Sequence, residues 1–233
     1  MTRFPWGVFG ILGLLLFISG QYLGLSWAPP DQHMGDVSRI LYVHVPAAWI
    51  SMLMYTVALF AGLGTLFSGL FGRKTSNSER RKKTDAVLEA AVEVGAVLNA
   101  LLLMLGSIFA RPTFGVWWDW DPRLTLSLVM WLMFLGVIIL RSLIEDSDQR
   151  ALTSGAAVVL AWATLPLVYF SVRWWRSIHQ VQSSPSTMSP EMVLALRWNA
   201  VALLFLAIWM VATRARVALR RAEQNSAPPL VLP

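Results

Sequence analysis

The chain has no cysteine. In 233 residues there is no thiol, which excludes covalent haem attachment through C-x-x-C-H, thiolate ligation of iron, iron–sulfur clusters and thiol–disulfide exchange. Charge is scarce as well: Asp, Glu, Lys and Arg make up 14% of the residues against 56% hydrophobic ones, a balance outside the range of soluble globular chains. Histidine is rarer still, with His33, His44 and His179 the full set.

What is abundant is long apolar runs. A helix crossing a bilayer needs about 20 mostly apolar residues at about 1.5 Å rise each, and six stretches qualify, at about 6–27, 44–71, 86–110, 124–144, 152–172 and 195–213. The pattern predicts an all-α integral membrane protein: a single six-transmembrane-helix domain over 1–233, with 214–233 as a cytoplasmic tail. Arg197 opens the shortest run and is expected at the interface. The first run is longer than a signal-peptide core and has no A-x-A pattern before Pro29, which favours an uncleaved helix. Pro166 is expected to kink the fifth helix.

Lys and Arg set the orientation. With the N-terminus inside, the inner side holds Arg3, Arg73, Lys74, Arg80, Arg81, Lys82, Lys83, Arg141, Arg150, Arg214, Arg216, Arg220 and Arg221. The outer side holds Arg39, Arg111, Arg123, Arg173, Arg176 and Arg197. Thirteen against six selects N-in/C-in, with outer loops at 28–43, 111–123 and 173–194. The basic 73–83 segment suits a lipid surface, so the pI of about 10.3 gives no reason to invoke nucleic acid.

Between the third and fourth runs lies FGVWWDWDPRLT, residues 114–125. Scattered interfacial Trp is normal in a membrane protein, and Trp6, Trp27, Trp49, Trp198 and Trp209 are assigned to that belt. Trp117, Trp118 and Trp120 are different: rings this dense around a turn suggest a platform for something large, planar and apolar. Asp121-Pro122 before an apolar run reads as a helix start, with Asp as N-cap and Pro at the first position.

All three histidines fall on the same outer side. His44, in RILYVHVPAAW, stands at the mouth of the second helix; His179 follows the fifth in SVRWWRSIHQ, sharing a face with Trp175 if that segment is helical. One such histidine often bridges headgroups or caps a backbone group. Two of them, from helices distant in sequence, bracket the tryptophan loop, and two neutral imidazoles can hold a haem iron from opposite sides. His33, in APPDQHMGD, reads as a loop residue. Arg111, Arg123, Arg173 and Arg176 suit either lipid headgroups or the haem propionates, which guanidinium binds through paired N–H groups.

Within the membrane, Glu89 and Glu93 share a face of the third helix. Glu89 is expected to pair with Lys82 or Lys83, while Glu93 should face protein or a water-filled cavity. Interhelical hydrogen bonding accounts for Asn99; a proton path is the functional alternative.

Six spans, LYVHVPAAW, the WWDWD loop followed by RLT, and VRWWRSIHQ together resemble the haem exporter protein C family of cytochrome c maturation, within the tryptophan-rich "WWD" haem-handling superfamily. The resemblance covers nearly the whole chain. The family signature W-G-x-W-W-x-W-D is matched at Gly115, Trp117, Trp118, Trp120 and Asp121, with Phe114 in place of its first Trp. It implies haem b bound noncovalently at the periplasmic face of the bacterial inner membrane, with His44 and His179 as axial ligands. The tryptophans would line one porphyrin edge, and outer arginines such as Arg123 and Arg173 would hold the propionates. It also implies a periplasmic haem chaperone, an ABC transporter pair and a very small single-span subunit as partners. Such a protein transfers haem within an ATP-driven complex rather than acting as a stand-alone enzyme. The competing classes are a b-type haem oxidoreductase coupled to quinone, for which three histidines leave too few ligands for two bis-His haems, and a haem-free assembly subunit.

Overall fold

A computed structural model describes residues 6–70, 76–179 and 188–226. Six helical units in it are long and apolar enough to cross a membrane. The first is α1 (Gly7–Tyr22), extended by a π-type turn over Leu23–Trp27. A short 3₁₀ turn, Asp36–Ile40, leads into α2 (Leu41–Leu70). Next come α3 (Ser76–Phe114) and α4 (Pro122–Leu143), then the pair α5 (Ser147–Trp162) and α6 (Thr164–Trp174), and last α7 (Pro190–Ser226). The six-span, all-α expectation holds. Arg3, Arg73, Lys74 and residues 227–233 of the expected tail lie outside the described residues.

The fifth span is interrupted, as Pro166 led us to expect. Pro166 has no N–H to give to the carbonyl four residues back, and the break falls one turn earlier, at Ala163, whose N–H bonds to the Leu160 carbonyl at 3.2 Å. The last helix runs on past the apolar stretch at 195–213, through Arg214 to Ser226, and Arg214 has a partner on the neighbouring helix: its guanidinium forms a paired contact with Glu93 of α3, at 2.5 and 2.7 Å.

Helix α3 packs along α2, α4 and α7, while α1 lies on α7 and α5 on α2. Small residues permit these approaches, as is usual where lipid supplies no hydrophobic drive between helices. A Cβ on Gly13 would stand 2.9 Å from the Leu206 backbone nitrogen, and one on Gly155 would stand 2.5 Å from Thr65 Oγ1. The central apolar cluster joins Tyr55, Leu88, Val92, Phe134 and Val158, with Tyr55 and Phe134 stacked at 3.6 Å between centroids.

Several charges within the spans pair across helices. Arg141 of α4 is 7% exposed and reaches Asp85 at 2.6 Å and Glu89 at 2.8 Å. Glu89 therefore pairs across helices rather than with Lys82 or Lys83, and Lys83 is bound to Glu79 one turn away. Its place on α3 turns it toward α4, and a desolvated carboxylate gains most from a guanidinium that is itself fixed. Asn99 is fully buried and donates to the Ser127 carbonyl at 3.4 Å, the interhelical bond the sequence suggested.

Candidate functional site

The start of α2, the end of α3, the start of α4 and the end of α6 meet at one end of the bundle around a cavity of about 530 Å³. That size lies within the roughly 300–1,000 Å³ of pockets that hold small molecules and cofactors. His44 enters from the first turn of α2, Arg123 from the first turn of α4, and His179 from the chain beyond α6. The walls are apolar: Met52, Leu102, Phe109, Met130 and Val168 are among them.

Local sequence explains how each polar group arrives. Asp121 caps α4, its Oδ1 accepting from the N–H of Arg123 at 2.9 Å and of Leu124 at 3.4 Å, with Pro122 at the first helical position. That fixes Arg123 within the opening turn. Helix α3 closes through Gly115, whose φ of +80° is the left-handed conformation that ends helices and that a side chain disfavours. Its N–H bonds to the Arg111 carbonyl at 3.0 Å. Gly115 thus turns the chain into the tryptophan loop and does not line the cavity. His44 packs where Gly106 offers no side chain.

The segment carrying His179 is not helical, contrary to the reading that put Trp175 and His179 on one face. Helix α6 ends at Trp174, and Trp175 is extended at φ −127° and ψ 158°. Side chains replace the helical hydrogen bonds: Asp121 Oδ2 accepts from the Ile178 N–H at 2.8 Å, and Ser177 Oγ from the His179 N–H at 3.0 Å.

Several cavity-lining groups are buried without a hydrogen-bond partner among the described residues: Nδ1 of His44, Nδ1 of His179, an Nη1 of Arg123 and Oγ1 of Thr113. A buried unpaired polar atom costs about 1–3 kcal/mol, so four around one cavity indicate a surface shaped to meet a ligand. Two imidazoles and a guanidinium are groups able to serve the metal and the acidic side groups of a metalloporphyrin. His179 has its pKa held below the usual 6.5, first by burial and then by the Arg123 charge, against an opposing pull from Asp121. It is accordingly neutral near pH 7, the form able to bind a metal.

A family model described as Heme exporter protein C matches residues 2–228. The chain belongs to the Heme exporter protein C family. It is 32% identical over 226 residues to Heme exporter protein C of Bradyrhizobium diazoefficiens, covering 93% of this chain and 80% of that one. The protein of the same name from Escherichia coli K12 is 31% identical over 214 residues, covering 91% and 82%. That of Haemophilus influenzae is 30% identical over 220 residues, covering 93% and 85%.

In this member of the Heme exporter protein C family the structure gathers His44, His179 and Arg123, and it leaves other expected residues apart. Trp117 and Trp120 are 59% and 74% exposed, and neither they nor Trp118 line the cavity. Trp118 and Trp120 meet edge to face at 6.0 Å, and Ser107 holds the loop by donating to the Trp117 carbonyl at 2.8 Å. Arg173 and Arg176 are exposed and outside the lining. Arg111 donates to the Gly115 carbonyl. His33 is exposed, its amide bonded to Asp31 at 2.8 Å.

Sequence reasoning missed Trp49 and Gly106. Trp49, assigned to the interfacial belt and 40% exposed, also lines the cavity five residues beyond His44. Gly106 carried a readable signal, since an isolated glycine in an apolar helix often marks close approach.

Proposed function

We propose that this protein takes haem b noncovalently into the cavity at its outer face and presents it to a periplasmic haem chaperone during cytochrome c maturation. The observation that carries the reading is the convergence of His44 and His179 on one cavity with Arg123 beside them. Haem, the cargo, brings an iron that takes two axial nitrogen ligands, a flat apolar ring and two carboxylates. His44 and His179 serve as the axial ligands. Arg123, half-buried and with its buried Nη1 unpaired, is the best-placed propionate partner; Arg173, on the exposed chain, has no comparable position.

The tryptophan loop takes a different part from the one first expected. Trp117 and Trp120 are exposed and outside the cavity lining, so they suit contact with the chaperone that receives the cargo, and Phe114 is the signature residue that touches the cavity. Positive-inside counting supports an N-in/C-in arrangement in the inner membrane, with the cavity on the periplasmic side. The ABC transporter pair and the small single-span subunit complete the assembly in this reading. A single histidine pair supports one haem, which weighs against a two-haem quinone-linked oxidoreductase.

The optical spectrum of the detergent-purified protein tests this. We expect a low-spin, bis-histidine haem in the wild type and its loss or weakening in His44→Ala and in His179→Ala. An unchanged bis-His spectrum in both variants would overturn the assignment.

A further inference from the structure

We propose that Asp121 is the positioning residue for His179, acting through the backbone of the residue before it; this rests on the axial-ligand reading above. An N-cap needs one carboxylate oxygen. Asp121 uses Oδ1 for that purpose and Oδ2 for a second one, accepting the N–H of Ile178, 57 residues further on, at 2.8 Å. The side chain is 6% exposed, so both bonds are charge-assisted and shielded from water, the condition in which such bonds are strongest.

Trp175, just beyond α6, is extended, and the His179 amide is satisfied locally by Ser177. Among the described residues, the hydrogen bond that ties residues 176–179 to another element is the one from Ile178 to Asp121. The same carboxylate fixes the first turn of α4, which carries Arg123. One side chain thereby sets two groups of the cavity in a common frame: the guanidinium through its own amide, and the second imidazole through the amide one residue before it. A residue that merely capped α4 would leave Oδ2 without this role.

Asp121→Asn separates the two functions. Asn caps helices about as well as Asp, but it has one acceptor oxygen instead of two. In the full-length, detergent-purified protein we expect Asp121→Asn to keep haem on His44 while the six-coordinate fraction falls several-fold, with added imidazole restoring the six-coordinate spectrum. In haem-free protein, hydrogen exchange at the Ile178 amide should speed up on the order of tenfold, because its protecting bond is gone. An unchanged spectrum together with unchanged Ile178 exchange would overturn the proposal.

If Asp121→Asn binds no haem at all, Ile178→Pro removes the donor and leaves the α4 cap intact. Loss of six-coordination with imidazole rescue in that variant supports the proposal, and a wild-type spectrum overturns it. Should the wild type lack a bis-His spectrum while Asp121→Asn still speeds Ile178 exchange, the axial-ligand reading fails and the anchoring of the segment stands.

Discussion

His44 lies edge-on to Gly106: a Cβ at that glycine would stand 3.0 Å from the imidazole Cε1. The orientation of the ring is therefore set in part by the missing side chain on α3. Gly106→Ala should push the ring by a few tenths of an ångström, and Gly106→Val should displace it. Overpacking of this kind costs about 1–3 kcal/mol. We expect haem content per protein to fall modestly for Ala and severely for Val, with thermal stability of the haem-free protein falling less. Equal haem content in Gly106→Val and wild type would show that His44 does not depend on this contact.

Half-buried Arg123 holds a buried, unpaired Nη1 in the cavity wall. If it meets a propionate, Arg123→Ala should weaken haem affinity about 10- to 100-fold, the equivalent of a hydrogen bond to a charged group at about 1.5–3 kcal/mol. The bis-His spectrum of the haem that still binds should persist. Arg123→Lys should recover only part of the loss, since it cannot pair two N–H groups with one carboxylate. Titration with haem distinguishes these outcomes, and Arg173→Ala is the control expected to bind normally.

Trp117 and Trp120 are exposed and do not line the cavity. The double Ala variant should hold haem with an unaltered spectrum and yet fail to pass it to the chaperone. Loss of the bound-haem spectrum itself would return the loop to the role of a porphyrin wall.

Arg141 is buried between Asp85 and Glu89, far along α3 and α4 from the cavity residues. Removing it in Arg141→Ala leaves two carboxylates without their guanidinium, and breaking a buried pair costs about 3–5 kcal/mol. Thermal denaturation in detergent should show a large loss of stability. Variant that remains folded should bind haem as before, because the network takes no part in the cavity.

The depressed pKa of His179 has a definite sign. The unfolded chain titrates near 6.5 and binds the proton more readily than the folded one, so stability falls as pH drops through about 6.5 and levels off below the folded value. A melt series of haem-free protein from pH 8 to 5 (~ unfolded-state His range) should show this decline, and His179→Gln should flatten part of it.

The six spans were legible in the sequence because a bilayer imposes a length and a composition on each crossing. The cap at Asp121 was legible for a similar reason, being a local device written in adjacent residues. Glu89 was misassigned because sequence distance favoured Lys82 and Lys83, while the geometry of the helix turned its carboxylate toward Arg141. Trp49 looked like any other belt tryptophan, since nothing local marks which face of α2 borders the cavity.

The sequence by itself determined that this is a six-span helical membrane chain with two outlying histidine motifs, a tryptophan loop between them and no thiol chemistry. Composition, periodicity and helix caps are properties of neighbouring residues. Only the tertiary structure decided that Arg123 rather than Arg173 joins the two histidines, that Trp117 and Trp120 are exposed, and that Asp121 accepts from the His179 segment as well as capping α4. Those outcomes depend on how helix ends separated by many residues come together, and on which oxygen of one carboxylate is left over once a helix has been capped.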